Sequence, residues 1–373
     1  MDLIWLVLAT LIIYFIQVLL YKRYVFSNFE YTRGFNVTTC FQGEQIELLE
    51  VITNRKIIPM PWVRAESKIP DSIIFGAKPE TSGDHDQWFF HTSVFSLMPY
   101  QRVLRSYNIL CNRRGIYDLG SVSISSGDLF DNMTSTLQKQ NNAVITVYPR
   151  LIDPQAIDLP TTRWQGDLTV MRWIIDDPFL LLGIREYQPG DTMRDVHWKA
   201  TARTGNLQVK THDKTSDPKL MVIMNIEPRE NLWSEIVKDD HNLLEYGFSL
   251  AASLCVMALS HGLEAGFACN CASHGQPAND GIILPPARAQ GQTENVLETI
   301  ARAQIRRTRS FTGFLESLEP QLHNTDVLIL TAHRNDELET IAQRLRQKGN
   351  QVLFHRLEEP AESFDVHGKE DIA

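Results

Sequence analysis

The chain has 373 residues, 36 of them Lys or Arg and 45 Asp or Glu, for a net charge of −9 at pH 7. That length exceeds one ordinary domain, and that charge excludes a dedicated nucleic-acid binder, whose affinity rests on a basic face. With 43% hydrophobic and 22% charged residues the chain can bury a sizeable core, which excludes disorder over most of its length.

Leu3 to Tyr21 carries no charge, and at ~1.5 Å of rise per residue it reaches across a hydrocarbon core of ~30 Å. Only Asp2 precedes it, whereas Lys22 and Arg23 follow at once between the interfacial aromatics Tyr21 and Tyr24. The positive leading region and small-residue cleavage site of a signal peptide are not visible. Residues 1–24 are therefore expected to be a single-pass anchor in the cell membrane lipid bilayer. The downstream positive charges favour a cytoplasmic location for the bulk of the chain. The five cysteines (Cys40, Cys111, Cys255, Cys269, Cys271) are few, odd in number and scattered, which fits a reducing compartment better than a disulfide framework.

Residues 33–150 read as an antiparallel β-sandwich. From Trp62 to Ile69 the chain alternates, with Val63, Ala65, Ser67 and Ile69 on one face. Ser121–Ser125 and Ala143–Tyr148 repeat the pattern, and Pro70-Asp71, Ser82-Gly83-Asp84 and Gly127-Asp128 mark turns between such runs.

Residues 151–215 link this part to the next and hold the most individual stretch of the chain. It contains Arg185, Tyr187, Pro189, Gly190, Asp191, Arg194, His197, Trp198, Lys199, Ala202, Arg203, Thr204, Gly205, Leu207, Val209 and Lys210. Pro189-Gly190 specifies a tight turn. Asp191 is then expected to cap a short helix through the Val196–Ala202 region, which Gly205 ends before Leu207-Gln208-Val209 returns as a strand.

From residue 216 to 360 the rhythm is that of an α/β domain with a largely parallel sheet. Leu220–Met224 and Asp326–Leu330 are unbroken apolar runs, as strands covered on both faces require. Helices are expected at about His241–Ser260 and Thr293–Ile305, and another begins at Asn335 as cap with Asp336 and Glu337 in its first turn. Leu263–Ala268 and Gln351–Phe354 supply further strands. Residues 361–373 form a frayed acidic tail.

The ordered run from Arg185 to Lys210 closely resembles the signature of the bacterial family catalogued as domain of unknown function 58, with Val196 replacing the usual isoleucine. Arg114-Gly115-Ile116-Tyr117-Asp118-Leu119-Gly120 and Gly127-Asp128-Leu129-Phe130 resemble that family's upstream patterns, although Leu129 and Asp131 depart from the second. The resemblance implies an α+β multidomain protein: N-terminal transmembrane helix, antiparallel β-sandwich, then an α/β domain similar to the von Willebrand factor A fold. It also implies a role in assembly or cell-envelope processes, since relatives are often encoded beside MoxR-type AAA ATPases. Relatives commonly carry two membrane helices, whereas one is expected here.

The chemistry-bearing groups admit sharp and bland readings. A von Willebrand A-type domain often holds a divalent cation through Asp-x-Ser-x-Ser, but Asn225-Ile226-Glu227-Pro228-Arg229 stands there, a degenerate site. Cys269, Cys271 and His274 lack the fourth ligand and the spacing of a zinc site. Arg302, Arg306, Arg307 and Arg309 cluster near a helix end and suit anionic lipid, an acidic partner or a solvated face. His197, at three residues from Arg194, could serve as a general base, yet no nucleophile accompanies it. The basic side chains could instead hold an anion. The favoured reading is structural: Arg185, Tyr187, Gly190, Asp191, Arg194, His197, Trp198, Lys199, Arg203, Gly205 and Lys210 form an interdomain polar network. The expected protein is a non-enzymatic scaffold without cofactor that binds protein partners. A ligand- or metal-binding module, and then a hydrolytic enzyme using His197, are the alternatives.

Overall fold

The computed structural model describes residues 2–76, 88–127, 134–152, 184–188, 196–210, 219–230, 238–275 and 280–358. It divides into two compact units, Met1–Arg150 and Leu151–Ala373. The first begins with helix α1 (Asp2–Tyr24), whose side chains from Ile4 to Leu20 are mostly exposed, Ile4 by 71% and Leu19 by 64%. Its Ile4–Tyr24 segment is long and apolar enough to cross a membrane.

Eleven strands among the described residues follow: β1 (Phe29–Phe35), β2 (Thr39–Phe41), β3 (Gln45–Asn54), β4 (Met60–Pro70), β5 (Ile73–Phe75), β6 (Trp88–Leu97), β7 (Arg102–Cys111), β8 (Gly115–Asp118), β9 (Ser121–Gly127), β10 (Thr134–Gln140) and β11 (Val144–Tyr148). They build two four-stranded antiparallel sheets, β1-β3-β7-β5 and β10-β9-β4-β6, and a small third sheet, β2-β11-β8. The alternation legible in Trp62–Ile69 is the register of β4: Val63, Ala65, Ser67 and Ile69 are all buried. Tyr31 and Ile52 from one large sheet meet Val63, Ala65, Phe95, Val122 and Ile124 from the other in one core. The third sheet, which includes the parallel pair β11–β2, closes a second core around Leu48, Ile69, Ile109 and Ile145.

The last turn of α1 belongs to the first of these cores. Tyr21 and Val25 are buried in it, and the Tyr21 hydroxyl donates to Pro59 O at 2.9 Å. Lys56, itself buried, donates from Nζ to Val25 O and to Ser27 O at 3.4 Å, capping carbonyls where the helix ends. Burial lowers its amine to about 8. The unfolded chain holds that proton up to about 10.5, so between these values it binds more protons than the folded one and stability rises with pH. Below pH ~8 both states carry the proton and the contribution is flat. Chemical unfolding at pH 7.5 and pH 9.5 should show wild type gaining stability relative to Lys56→Met across that interval.

In the second unit, β12 (Ile184–Glu186), α2 (Trp198–Thr204) and β13 (Gln208–Lys210) precede the α/β layers. These are β14 (Lys219–Met224), α3 (Lys238–Ser260), β15 (Glu264–Cys269), β16 (Cys271–Ser273), β17 (Ile282–Ala287), α4 (Gln292–Arg302), β18 (Ala303–Arg307), α5 (Phe311–Leu318), β19 (Asp326–Thr331), α6 (Asp336–Gln347) and β20 (Gln351–Arg356). The main sheet runs β17-β15-β14-β19-β20, parallel except for the β15–β17 pair. Helices α5 and α6 cover it with Phe311, Phe314, Leu315, Leu338, Ile341 and Leu345. Helix α3 is also long and apolar enough to span a bilayer, yet 67% of its apolar window is buried, as the core helix of an α/β layer requires. Asn335 caps α6 by accepting from Leu338 N at 2.9 Å, and Gly262 ends α3 at φ 81°.

One expectation is corrected here. The helix expected over Thr293–Ile305 stops at Arg302, and residues 303–307 turn into β18, paired with β16. Strand β17 contains Pro285-Pro286, which a strand tolerates at the edge of a sheet, where β17 lies. Gly266 on the neighbouring strand lies so close that a Cβ there would meet Pro286 N at 2.5 Å. The tail at 361–373 and the turn at Pro189-Gly190 lie outside the described residues.

Candidate functional site

The described residues of the signature stretch, 184–188 and 196–210, form a small clasp. Strands β12 and β13 pair antiparallel, Arg185 opposite Val209 and Ile184 opposite Lys210, and Tyr187 N donates to Leu207 O at 2.9 Å. Val196 bridges to Val209, and both are buried. His197 N then donates to Gln208 O at 2.7 Å, which ties the start of α2 to β13.

The helix cap is His197 itself, where Asp191 was expected. Its Nδ1 accepts from Ala200 N at 3.0 Å, so the neutral ring carries its proton on Nε2. Thr201 secures the same end: its Oγ1 donates to His197 O at 3.1 Å and accepts from Gln208 N at 3.0 Å. Gly205, at φ 78°, closes the other end by donating to Thr201 O, a left-handed position that glycine adopts without penalty. The helix begins after His197. Gly190, Asp191 and Arg194 lie outside the described residues.

With one ring nitrogen committed to a backbone amide, His197 holds geometry. His197→Phe should lower stability by about 1 kcal/mol, the usual cost of a lost cap, whereas His197→Asn should restore most of it. Thermal unfolding of the two variants checks this; equal loss in both would remove the capping role.

What the clasp offers outward is the face of α2. None of its residues is buried; Trp198 is 64% exposed, and Lys199 and Arg203 are exposed on the same helix.

The second location is the carboxyl end of the α/β sheet, where the chain leaves β14. Asn225, fully buried, donates from Nδ2 to Thr331 Oγ1 at 3.1 Å and accepts at Oδ1 from Glu227 N at 2.9 Å. Asn270, also fully buried, accepts from Ile226 N at 3.0 Å and donates to Arg309 O at 3.4 Å. Glu227 Oε1 accepts from Phe311 N at 3.1 Å, at the start of α5, and faces Arg307 Nη1 at 3.5 Å. The helix N-terminus and the guanidinium thus both serve the one carboxylate.

This donor set does not fit a hard divalent cation, which takes six or more oxygen ligands in water or protein. Asn225 has spent its amide on the chain, and Arg307 places positive charge at the carboxylate. Among the described residues no group of three His, Cys, Asp or Glu comes together. Cys269 and Cys271 are buried, like all five cysteines, and His274 Nδ1 lies 3.5 Å from Gln304 Nε2. Asn270 is the residue that sequence reasoning missed: nothing but its place between two cysteines drew attention to it.

Three of the four arginines expected to cluster make ion pairs. Arg302 pairs with Glu298 at 2.6 Å, Arg307 with Glu227, and Arg309 with Asp280, each on a different segment.

Residues 183–363 match the family model described as protein of unknown function DUF58. The uncharacterized protein YeaD of Bacillus subtilis (strain 168) is 21% identical over 326 residues, covering 86% of this chain and 74% of that protein. Among solved structures, the CARDB domain of the PF1109 protein from Pyrococcus furiosus covers 33% of this chain and 96% of that one, at 12% identity and TM-score 0.19. The C-terminal domain of wzt covers 33% and 75%, at 10% identity and TM-score 0.23. Likenesses this low carry no assignment of fold.

Proposed function

We propose that this protein is a single-pass, membrane-anchored adaptor that binds other proteins and catalyses no reaction itself. In this reading α1 crosses the cell membrane and the bulk of the chain lies on the cytoplasmic side. The α/β layers form a von Willebrand factor A-like domain whose metal site has been replaced by internal bonding. The signature clasp presents α2 to a partner, with a MoxR-type AAA ATPase as the leading candidate, in assembly or envelope work.

The observation that supports this is the exposure of Trp198, with Lys199 and Arg203 exposed on the same helix, which is fixed at both ends. Tryptophan and arginine are the residues most enriched at binding hot spots, and preorganisation reduces the entropy lost on docking. Ligand binding at Asn225 and Glu227 is disfavoured by their internal partners, and general-base catalysis by the cap that occupies His197. Purification of the full chain from native membranes should recover an AAA ATPase, and a chain lacking residues 151–360 should not. Recovery of no protein, or equal recovery by both chains, would overturn the reading.

A further inference from the structure

Three segments of the first unit converge where α1 ends. These are residues 25–28, the β3–β4 turn at 55–59 and the β6–β7 turn at 98–101. Asn54, fully buried, donates from Nδ2 to Ile58 O and Met98 O, both at 3.0 Å. Tyr100 N donates to Lys56 O at 3.3 Å, Arg55 N to Asn28 O at 3.0 Å, and Lys56 Nζ to Val25 O. With Tyr21 bonded to Pro59 O, the turns and the last turn of the helix form one hydrogen-bonded body.

The outer surface of that body is apolar at its tips. Ile57 is 74% exposed, Met98 64% and Tyr100 72%. Tyr100 stands at φ 58°, a conformation that bulky residues adopt only when the surroundings impose it. The strain holds an aromatic side chain outward beside exposed Ile57 and Met98. Lys22 and Arg23 are exposed on the same body, and Arg55 pairs with Glu30 at 2.9 Å.

The place of α1 supplies the reason. Tyr21, at the end of the uncharged run, is packed in the β-sandwich core and bonded to Pro59 O, so the helix leaves the hydrocarbon core at the level of these turns. Residues that flank a span settle in the interface, and here they are rigidly joined to the helix.

We propose that the 55–59 and 98–101 turns are a second membrane contact: Ile57, Met98 and Tyr100 enter the headgroup–acyl boundary, and Lys22 and Arg23 meet lipid phosphates. The β-sandwich is then seated on the bilayer in a fixed orientation, as an interfacial aromatic and basic belt would seat it. This rests on the reading of α1 as a membrane helix.

All five native cysteines are buried, so single cysteines introduced at exposed positions can be labelled selectively with a polarity-sensitive fluorophore. The full chain is reconstituted in vesicles of phosphatidylcholine and phosphatidylglycerol with doxyl-labelled acyl chains, and aqueous iodide is the opposing quencher. Labels at Ile57→Cys, Met98→Cys and Tyr100→Cys should be quenched by doxyl lipid and shielded from iodide. A label at Gln140→Cys, an exposed site at the other end of the sandwich, should behave oppositely. Ile12→Cys reports on α1 itself. Doxyl quenching at Ile12 with iodide access at 57, 98 and 100 would overturn this proposal alone; iodide access at Ile12 would overturn the membrane reading of the helix and this proposal with it.

Discussion

Glu50→Ala should destabilise the first unit by about 3–5 kcal/mol, the usual penalty for removing one partner of a buried ion pair. Arg33 and Glu50 face each other across strands β1 and β3 at 3.9 Å, with side chains 1% exposed. Arg33 Nη1 donates to Ser67 Oγ at 2.5 Å, and the Tyr31 hydroxyl donates to Glu50 Oε1 at 2.9 Å. Burial, then the Glu50 charge, pushes the Tyr31 phenol well above its usual value. The guanidinium has few neighbours to spare: its Nε and Nη2 are buried without a hydrogen-bond partner among the described residues. Removing the carboxylate leaves a cation stranded in a β-sandwich core. Denaturant unfolding of the full chain in detergent measures the loss. The double variant Arg33→Met with Glu50→Leu should recover most of it, since replacing both charges removes the desolvation that the pair only partly offsets. If Glu50→Ala behaved like an ordinary surface change, within about 0.5 kcal/mol, the pair would have no structural weight.

The second large effect belongs to the outward face of α2. Trp198→Ala should weaken partner binding by about 2 kcal/mol or more, roughly thirty-fold, as truncation of a central aromatic anchor does. It should leave the melting temperature nearly unchanged, because Trp198 is 64% exposed. Lys199→Ala and Arg203→Ala, at the rim, should act mainly on association rate and its salt dependence. Titration of the solubilised full chain with the recovered partner reads all three. A stability loss in Trp198→Ala comparable to its binding loss would mean that the indole supports the fold.

Much of the architecture was legible because burial imposes a period. The alternation in Trp62–Ile69 and the apolar runs Leu220–Met224 and Asp326–Leu330 follow from which faces are covered, and each became a strand. What was not legible had local chemistry that points the other way. Pro285-Pro286 reads as a breaker, yet an edge strand needs fewer donors. Ile305 continues an apolar spacing, yet the backbone turns extended after Arg302 to pair with β16. At the site, Gly205 announced the end of α2, but His197 gave no sign of being its cap, since an imidazole caps only when the chain brings Nδ1 to the third amide. Glu227 looked like a residual cation ligand; only the folded chain brings Arg307 and Phe311 N to it, from 80 and 84 residues away.

The account depends on α2 being a contact surface on a tethered protein. A photo-cross-linking amino acid placed at position 198 of the full chain, in native membranes, tests this most directly. The account predicts one discrete adduct, with an AAA ATPase identified in it by mass spectrometry, and none from the same group placed at Gln140, an exposed residue of the first unit. No adduct at 198, or the same adducts from both positions, would contradict it.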